Sequence, residues 1–276
     1  MNRKLLFVSS LFTFVVLVFI YACQKESGPT VVDNTPFNDN SVEKNAVIAT
    51  TTFEAISDFA QAGFISTNFK AGNISIGSCP TINVNYLTPP YSISLDWGTE
   101  CSVGKGKIDI SLSGLMTTKE NVATFKIENY IVDNKKVTGT TKITYSGPNP
   151  GNNWPRYDFI SEGKIVYADN SFITFRYDGV RLLAEGANTA TVLDDLWRTE
   201  IHSSNGVNKD GTTWTAKSTK VMIKKGDCQW YNSGIYEITP SKGDKITIDF
   251  GFPTEGSCDN KAKMTVGSKV TEITLN

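Results

Sequence analysis

An acidic residue, an aromatic, a glycine and then a cysteine recur in two segments, Asp96-Trp97-Gly98 before Cys101 and Asp249-Phe250-Gly251 before Cys258. Carboxylates beside thiolates could hold a metal or move protons, and two copies could be two halves of a site. The other chemistry-bearing groups argue against this. A single histidine, His202, excludes a multi-histidine metal site and leaves little from which to build a triad. The triplet Asp249-Phe250-Gly251 holds metal in kinases only beside an H-R-D loop, a glycine-rich loop and a strand lysine, and none of these accompanies it here.

The remaining motifs are equally incomplete. Gly72 to Gly77 lacks the glycine two residues before Ser75 that a nucleophile elbow needs. Asp194-Asp195 is the densest carboxylate pair, but neighbours on a strand point to opposite faces, so the pair reads as loop. Asn208-Lys209-Asp210-Gly211 has glycine at 206, where a calcium loop needs its first ligand, and reads as a hairpin turn. These features predict no catalytic residue, no metal and no cofactor. Trp154 and Trp197, in loop-like contexts, are the aromatics best placed to stack on a ligand.

Of the five cysteines, Cys23 ends an apolar run and four remain: Cys79, Cys101, Cys228 and Cys258. Four thiols allow three pairings, and the absence of any C-x-x-C spacing argues against a zinc site. The hairpins favour one pairing. Reflecting Cys79 through the turn at Leu87–Pro90 lands three residues short of Cys101. Reflecting Cys228 through the turn at Ser241–Lys242 lands three short of Cys258. The expected bridges are Cys79–Cys101 and Cys228–Cys258, each closing the open end of a hairpin. On this reading the two Asp-aromatic-Gly segments are strand ends, with the acid turning the chain, the aromatic packing and the glycine releasing it toward the cysteine.

The elements that must position these groups follow from periodicity. Ile108, Ile110 and Leu112 alternate with Lys107, Asp109 and Ser111, and Ala123, Phe125, Ile127 and Ile131 share one parity. Ile173, Phe175 and Tyr177 alternate with Thr174 and Arg176, and Ile246, Ile248 and Phe250 with Thr247 and Asp249. Period two with one polar face predicts antiparallel sheet covered on one side. Turn signals at Asp133-Asn134, Asp169-Asn170, Lys209-Asp210-Gly211 and Ser241-Lys242-Gly243 divide about eleven to twelve strands into a meander. The expectation is a mainly β domain, either a sandwich or an open or closed barrel, spanning residues 41–276. One amphipathic helix at 41–63 carries Val47, Ile48, Phe53, Ile56 and Phe59 on a face that must be buried against the sheet. The breaker-rich loop from Gly147 to Pro155 is the candidate midpoint boundary.

Residues 1–22 combine Arg3 and Lys4 with an apolar run, the pattern of an export signal, and residues 23–40 are polar and Pro/Ser-rich, a flexible tether. Loss of residues 1–22 removes two of the 27 basic residues and none of the 28 acidic ones, which takes the net charge from −1 to −3. That balance excludes a nucleic-acid binder.

Ile20-Tyr21-Ala22-Cys23 resembles the lipobox of bacterial lipoproteins. The resemblance implies cleavage before Cys23, lipid attachment to its sulfur, and residence on a membrane without spanning it, because several acyl chains give stable anchoring. Gln24, rather than Asp, after the cysteine points to the outer membrane, periplasm-facing or at the cell surface, and Lys25-Glu26 partly matches a surface-export signal. The whole mature chain resembles a class of Bacteroidota envelope lipoproteins, through the lipobox, the helix and the paired units of cysteine, hairpin, Asp-aromatic-Gly and cysteine. The functional expectation is a lipid-anchored, non-catalytic envelope protein that binds an envelope ligand (glycan, lipid or protein) or serves a structural role. The alternatives are a half-barrel carrier of apolar ligands and a glycan-binding or glycan-processing protein.

Overall fold

A computed structural model describes residues 72–75, 81–85, 87–99, 101, 105–132, 134–189, 191 and 193–275. The expected signal, tether, helix, Cys23 and Cys79 lie outside these residues. Fourteen strands form one sheet in strict chain order. They are β1 (Gly72–Ser75), β2 (Thr81–Asn85), β3 (Tyr91–Gly98), β4 (Lys105–Leu112), β5 (Val122–Val132), β6 (Lys135–Pro148) and β7 (Pro155–Val166). Then follow β8 (Phe172–Glu185), β9 (Leu196–Val207), β10 (Thr213–Lys225), β11 (Ser233–Pro240), β12 (Ile246–Asp249), β13 (Lys261–Val266) and β14 (Lys269–Thr274). Every pairing is antiparallel and joins chain neighbours; among the described residues β1 and β14 do not pair, so the sheet is open.

The alternation in the sequence becomes two faces. A single inward row crosses twelve strands: Val84, Ile93, Ile110, Phe125, Thr141, Ser161, Tyr177, Ser204, Ala216, Ile238, Ile246 and Val266. Its wings are apolar and its centre carries the hydroxylated Thr141, Ser161, Tyr177 and Ser204, with Thr141 and Ser161 hydrogen-bonded at 2.9 Å inside the protein. Phe125 and Ile238 are fully excluded from solvent, and the buried side chains form one continuous cluster from Ile93 to Leu275. Each large apolar side chain buried this way contributes about 1.5–3 kcal/mol.

Three expectations need correction. There are fourteen strands rather than eleven or twelve, because a four-residue strand such as β1 carries too little alternation to be counted. Gly147–Pro155 is not a boundary: β6 and β7 pair from Lys136↔Val166 to Pro148↔Pro155, with one irregularity between Tyr145 and Gly147, and the loop is the turn between them. Ile131 does not share the inward parity of Phe125 and Ile127. An irregularity between Ile127 and Tyr130, with Asn129 at φ 55°, shifts the strand by one, so Tyr130 packs on the core and Ile131 stands outward, 37% exposed.

The expected hairpin turns form as read, with Asn170, Gly211 and Gly243 at positive φ in the β7–β8, β9–β10 and β11–β12 connections. The two Asp-aromatic-Gly segments share one construction. Asp96 Oδ1 accepts the Gly98 N–H at 2.8 Å, and Asp249 Oδ1 accepts the Gly251 N–H at 3.0 Å. Trp97 packs on Tyr130, with ring centres 4.8 Å apart, and Phe250 packs on Tyr231 at 5.3 Å. Cys228 and Cys258 are bonded, with Cα atoms 5.6 Å apart, across the open end of the β11–β12 hairpin. Cys101 is buried and disulfide-bonded.

Candidate functional site

Where an inward residue is flanked on its strand by two outward ones, the outward pair makes two walls and the backbone between them a floor. Across β6 to β11 the inward residues align as Gly139, Gly163, Phe175, Gly206, Trp214 and Pro240. Their neighbours on one side form the outward row Thr138, Lys164, Thr174, Val207, Thr213, with Ser241 bonded beside Thr213. Those on the other side form the row Thr140, Glu162, Arg176, Asn205, Thr215, Thr239. Between the rows lies an open trough of about 810 Å³. Six strands at ~4.8 Å make it roughly 24 Å long, and two-residue spacing sets the rows about 6.6 Å apart.

The floor is thin where it is made by glycine and is supported from beneath. Trp214, 3% exposed, turns its indole across the inner side of Gly206, and Phe175 stacks with Tyr177, ring centres 6.2 Å apart. The walls are mostly threonine hydroxyls and methyls, with Lys164, Val207, Ser241, one amide and one ion pair, Arg176 Nη1 to Glu162 Oε2 at 3.0 Å. Both partners of that pair are about half exposed, so it orders the wall more than it stabilises the fold.

The aromatics singled out in the sequence sit elsewhere. Trp197 lies on β9 rather than in a loop, faces inward and is 6% exposed. One face of its ring is taken by the Arg181 guanidinium, 4.6 Å from the ring centre. Tyr157 is 5.8 Å from it and Tyr145 a further 5.2 Å along, which forms an aromatic chain under the β6–β7 and β8–β9 ends of the sheet. Burial, with lesser contributions from Tyr145 and Asp195, pushes the Tyr157 phenol up to about 12. Trp154 is half-buried in the β6–β7 turn, 5.8 Å from the Arg198 guanidinium.

His202 is exposed at an irregularity in the β8–β9 pairing and is not hydrogen-bonded to Ser203, whose hydroxyl donates instead to Asp178 at 2.6 Å. Asp158 is opposed by burial, but hydrogen bonds from Arg156 and Ser146 outweigh this and hold its carboxyl below the usual range. Asp194 and Asp195 lie in the loop before β9, as expected, with the first exposed and the second buried. Among the described residues no group of three or more His, Cys, Asp or Glu could hold a metal ion.

Nothing matches. Comparison of the chain with protein-family models, curated proteins and solved structures finds no counterpart. The trough therefore rests on its own chemistry. Two sequence signals lie within it, Thr138-Gly139-Thr140 and Thr213-Trp214-Thr215, but only the strand register brings them into the same two rows.

Proposed function

We propose that the chain is a non-catalytic, lipid-anchored cell-envelope protein whose exposed trough binds an extended hydroxylated polymer, a glycan strand. The observation that carries this reading is the alignment of two outward rows of threonine, asparagine, arginine and glutamate across six strands. Hydroxyls and amides both donate and accept, as sugar hydroxyls do, and the Arg176–Glu162 pair offers a planar set of donors beside acceptors. Threonine methyls and the glycine floor suit the C–H faces of a sugar ring. An open trough takes a strand along its length, where a closed pocket would take an end.

Cleavage would need a second carboxyl across the trough from Glu162. The facing row carries Thr138, Lys164 and Thr174 there, which favours binding over turnover. The lipid on Cys23 and the tether from 23 to 40 would hold this surface at the membrane while leaving it free to search.

The test is a titration of the full chain with a panel of soluble polysaccharides, followed by the same titration of Arg176→Ala and of Thr140→Val with Thr215→Val. Loss of one charge-assisted contact is worth roughly tenfold to a hundredfold in affinity. Binding by the parent with such a loss in the variants, at unchanged melting temperature, supports the reading; equal affinity in all three would exclude the trough.

A further inference from the structure

Below the trough, toward the ends of the strands at the β5–β6 and β7–β8 turns, the outward face changes character. The next row reads Lys105, Ile131, Lys136, Val166, Phe172 across β4 to β8, each the register partner of the one before. Ile131 and Phe172 are large apolar side chains left 37% and 44% exposed. Lysines frame them. Lys164, one row up, places its ammonium 3.8 Å from the centre of the Phe172 ring, and Lys209 lies 3.4 Å from the centre of the nearby Tyr167 ring. The ion pairs of the described residues use other cations: Lys107, Lys126, Arg156, Arg176, Lys220, Lys245, Lys261 and Lys263. Among the described residues, Asp169, in the β7–β8 turn, is a carboxylate that feels Lys209.

Lys105 and Lys136 in the row, with Lys164 and Lys209 beside it on aromatic rings, interleave four cations with exposed Ile and Phe on a chain of net charge −1. Such a surface complements a phosphate layer with hydrocarbon behind it: the ammonium groups reach headgroup phosphates while the apolar side chains enter the acyl boundary. A soluble acidic partner would satisfy the lysines and leave Ile131 and Phe172 in water. We propose that this strip seats the β domain directly on an anionic lipid surface, a second attachment independent of any lipid on Cys23. The strip runs parallel to the trough, so the seated domain holds the trough along the membrane plane.

The experiment reconstitutes the full chain with vesicles of phosphatidylcholine alone or of phosphatidylcholine with phosphatidylglycerol, and follows acetylation of each lysine by mass spectrometry. Lys119, in the β4–β5 turn at the opposite strand ends, serves as the internal reference. The expected result is a fall of about fivefold or more in the reactivity of Lys136 and Lys164 on the anionic vesicles only, with Lys119 unchanged. Ile131→Ser with Phe172→Ser, at exposed positions that leave the core intact, should abolish that protection. Equal reactivity on both vesicles overturns the proposal. Equal protection by inorganic phosphate, or protection retained in the double variant, overturns the lipid assignment and points to a phosphate or acidic partner read by charge alone.

Discussion

The indole of Trp214 lies against Gly206: a Cβ built at Gly206 would stand 2.5 Å from Cζ2 and 2.7 Å from Cε2 of the ring, and 2.4 Å from the Thr174 carbonyl oxygen. No side chain fits there without moving the backbone of β8 or expelling the tryptophan that supports the trough floor. Gly206→Ala should therefore cost about 2–4 kcal/mol, read as a fall in the urea midpoint. Gly211→Ala is the control. Its Cβ would meet nothing, so only the positive φ of 80° is strained and the loss should stay near 1 kcal/mol. Equal losses in the two variants would mean that the indole is not held against the strand.

Cys228→Ser with Cys258→Ser opens a bridge that spans 30 positions. Loop-closure entropy predicts a loss of about 3–4 kcal/mol. Equilibrium denaturation of parent and variant measures it, and a difference under 1 kcal/mol would show that the hairpin end is held by its packing, chiefly Phe250 on Tyr231, rather than by the bond.

Tyr157 makes stability fall at high pH. Its phenol is raised in the folded protein to about 12, above the ordinary value of 10.0, so the folded state keeps the proton more tightly. The stabilisation is complete below pH 10 and is lost as the pH rises toward 12, at most about 2–3 kcal/mol. Unfolding at pH 9 and pH 11.5 should show the decline, and Tyr157→Phe should flatten it. A phenolate absorbance titration in which every tyrosine ionises near 10 would contradict the burial.

Thr199 is fully closed to solvent, and its hydroxyl has no hydrogen-bond partner. Valine keeps the branched shape and removes the orphaned oxygen. Thr199→Val should stabilise the protein by about 1 kcal/mol. A loss of stability instead would reveal a partner for that hydroxyl.

Much of the architecture is written in the alternation, and the exceptions have local causes. Ile108, Phe125 and Ile173 point inward as their parity demands. Ile131 escapes because Asn129 adds a residue to one side of a pairing, and no polarity pattern announces such an insertion. Arg181 carries a charge, yet it is 3% exposed because it continues the inward parity of Ile173, Phe175 and Tyr177. A stacked tryptophan makes that position tolerable for a guanidinium. Trp197 follows two aspartates and so reads as loop, although β9 begins at Leu196. The trough was the least legible feature. Its walls draw on strands about a hundred residues apart, and which residues align is a property of register, set by turn lengths and bulges across the whole sheet.

The strict chain order of the strands has a consequence for how the molecule is made. Each strand's partners are the ones synthesised just before and just after it, so no early strand must wait for a distant one to complete its ladder. The sheet can lengthen one hairpin at a time as the polypeptide emerges, with a growing edge always ready to template the next segment. The trough walls would then assemble in sequence from Thr138 onward, and the Cys228–Cys258 bond would seal one of the last hairpins after most of the trough was already in place.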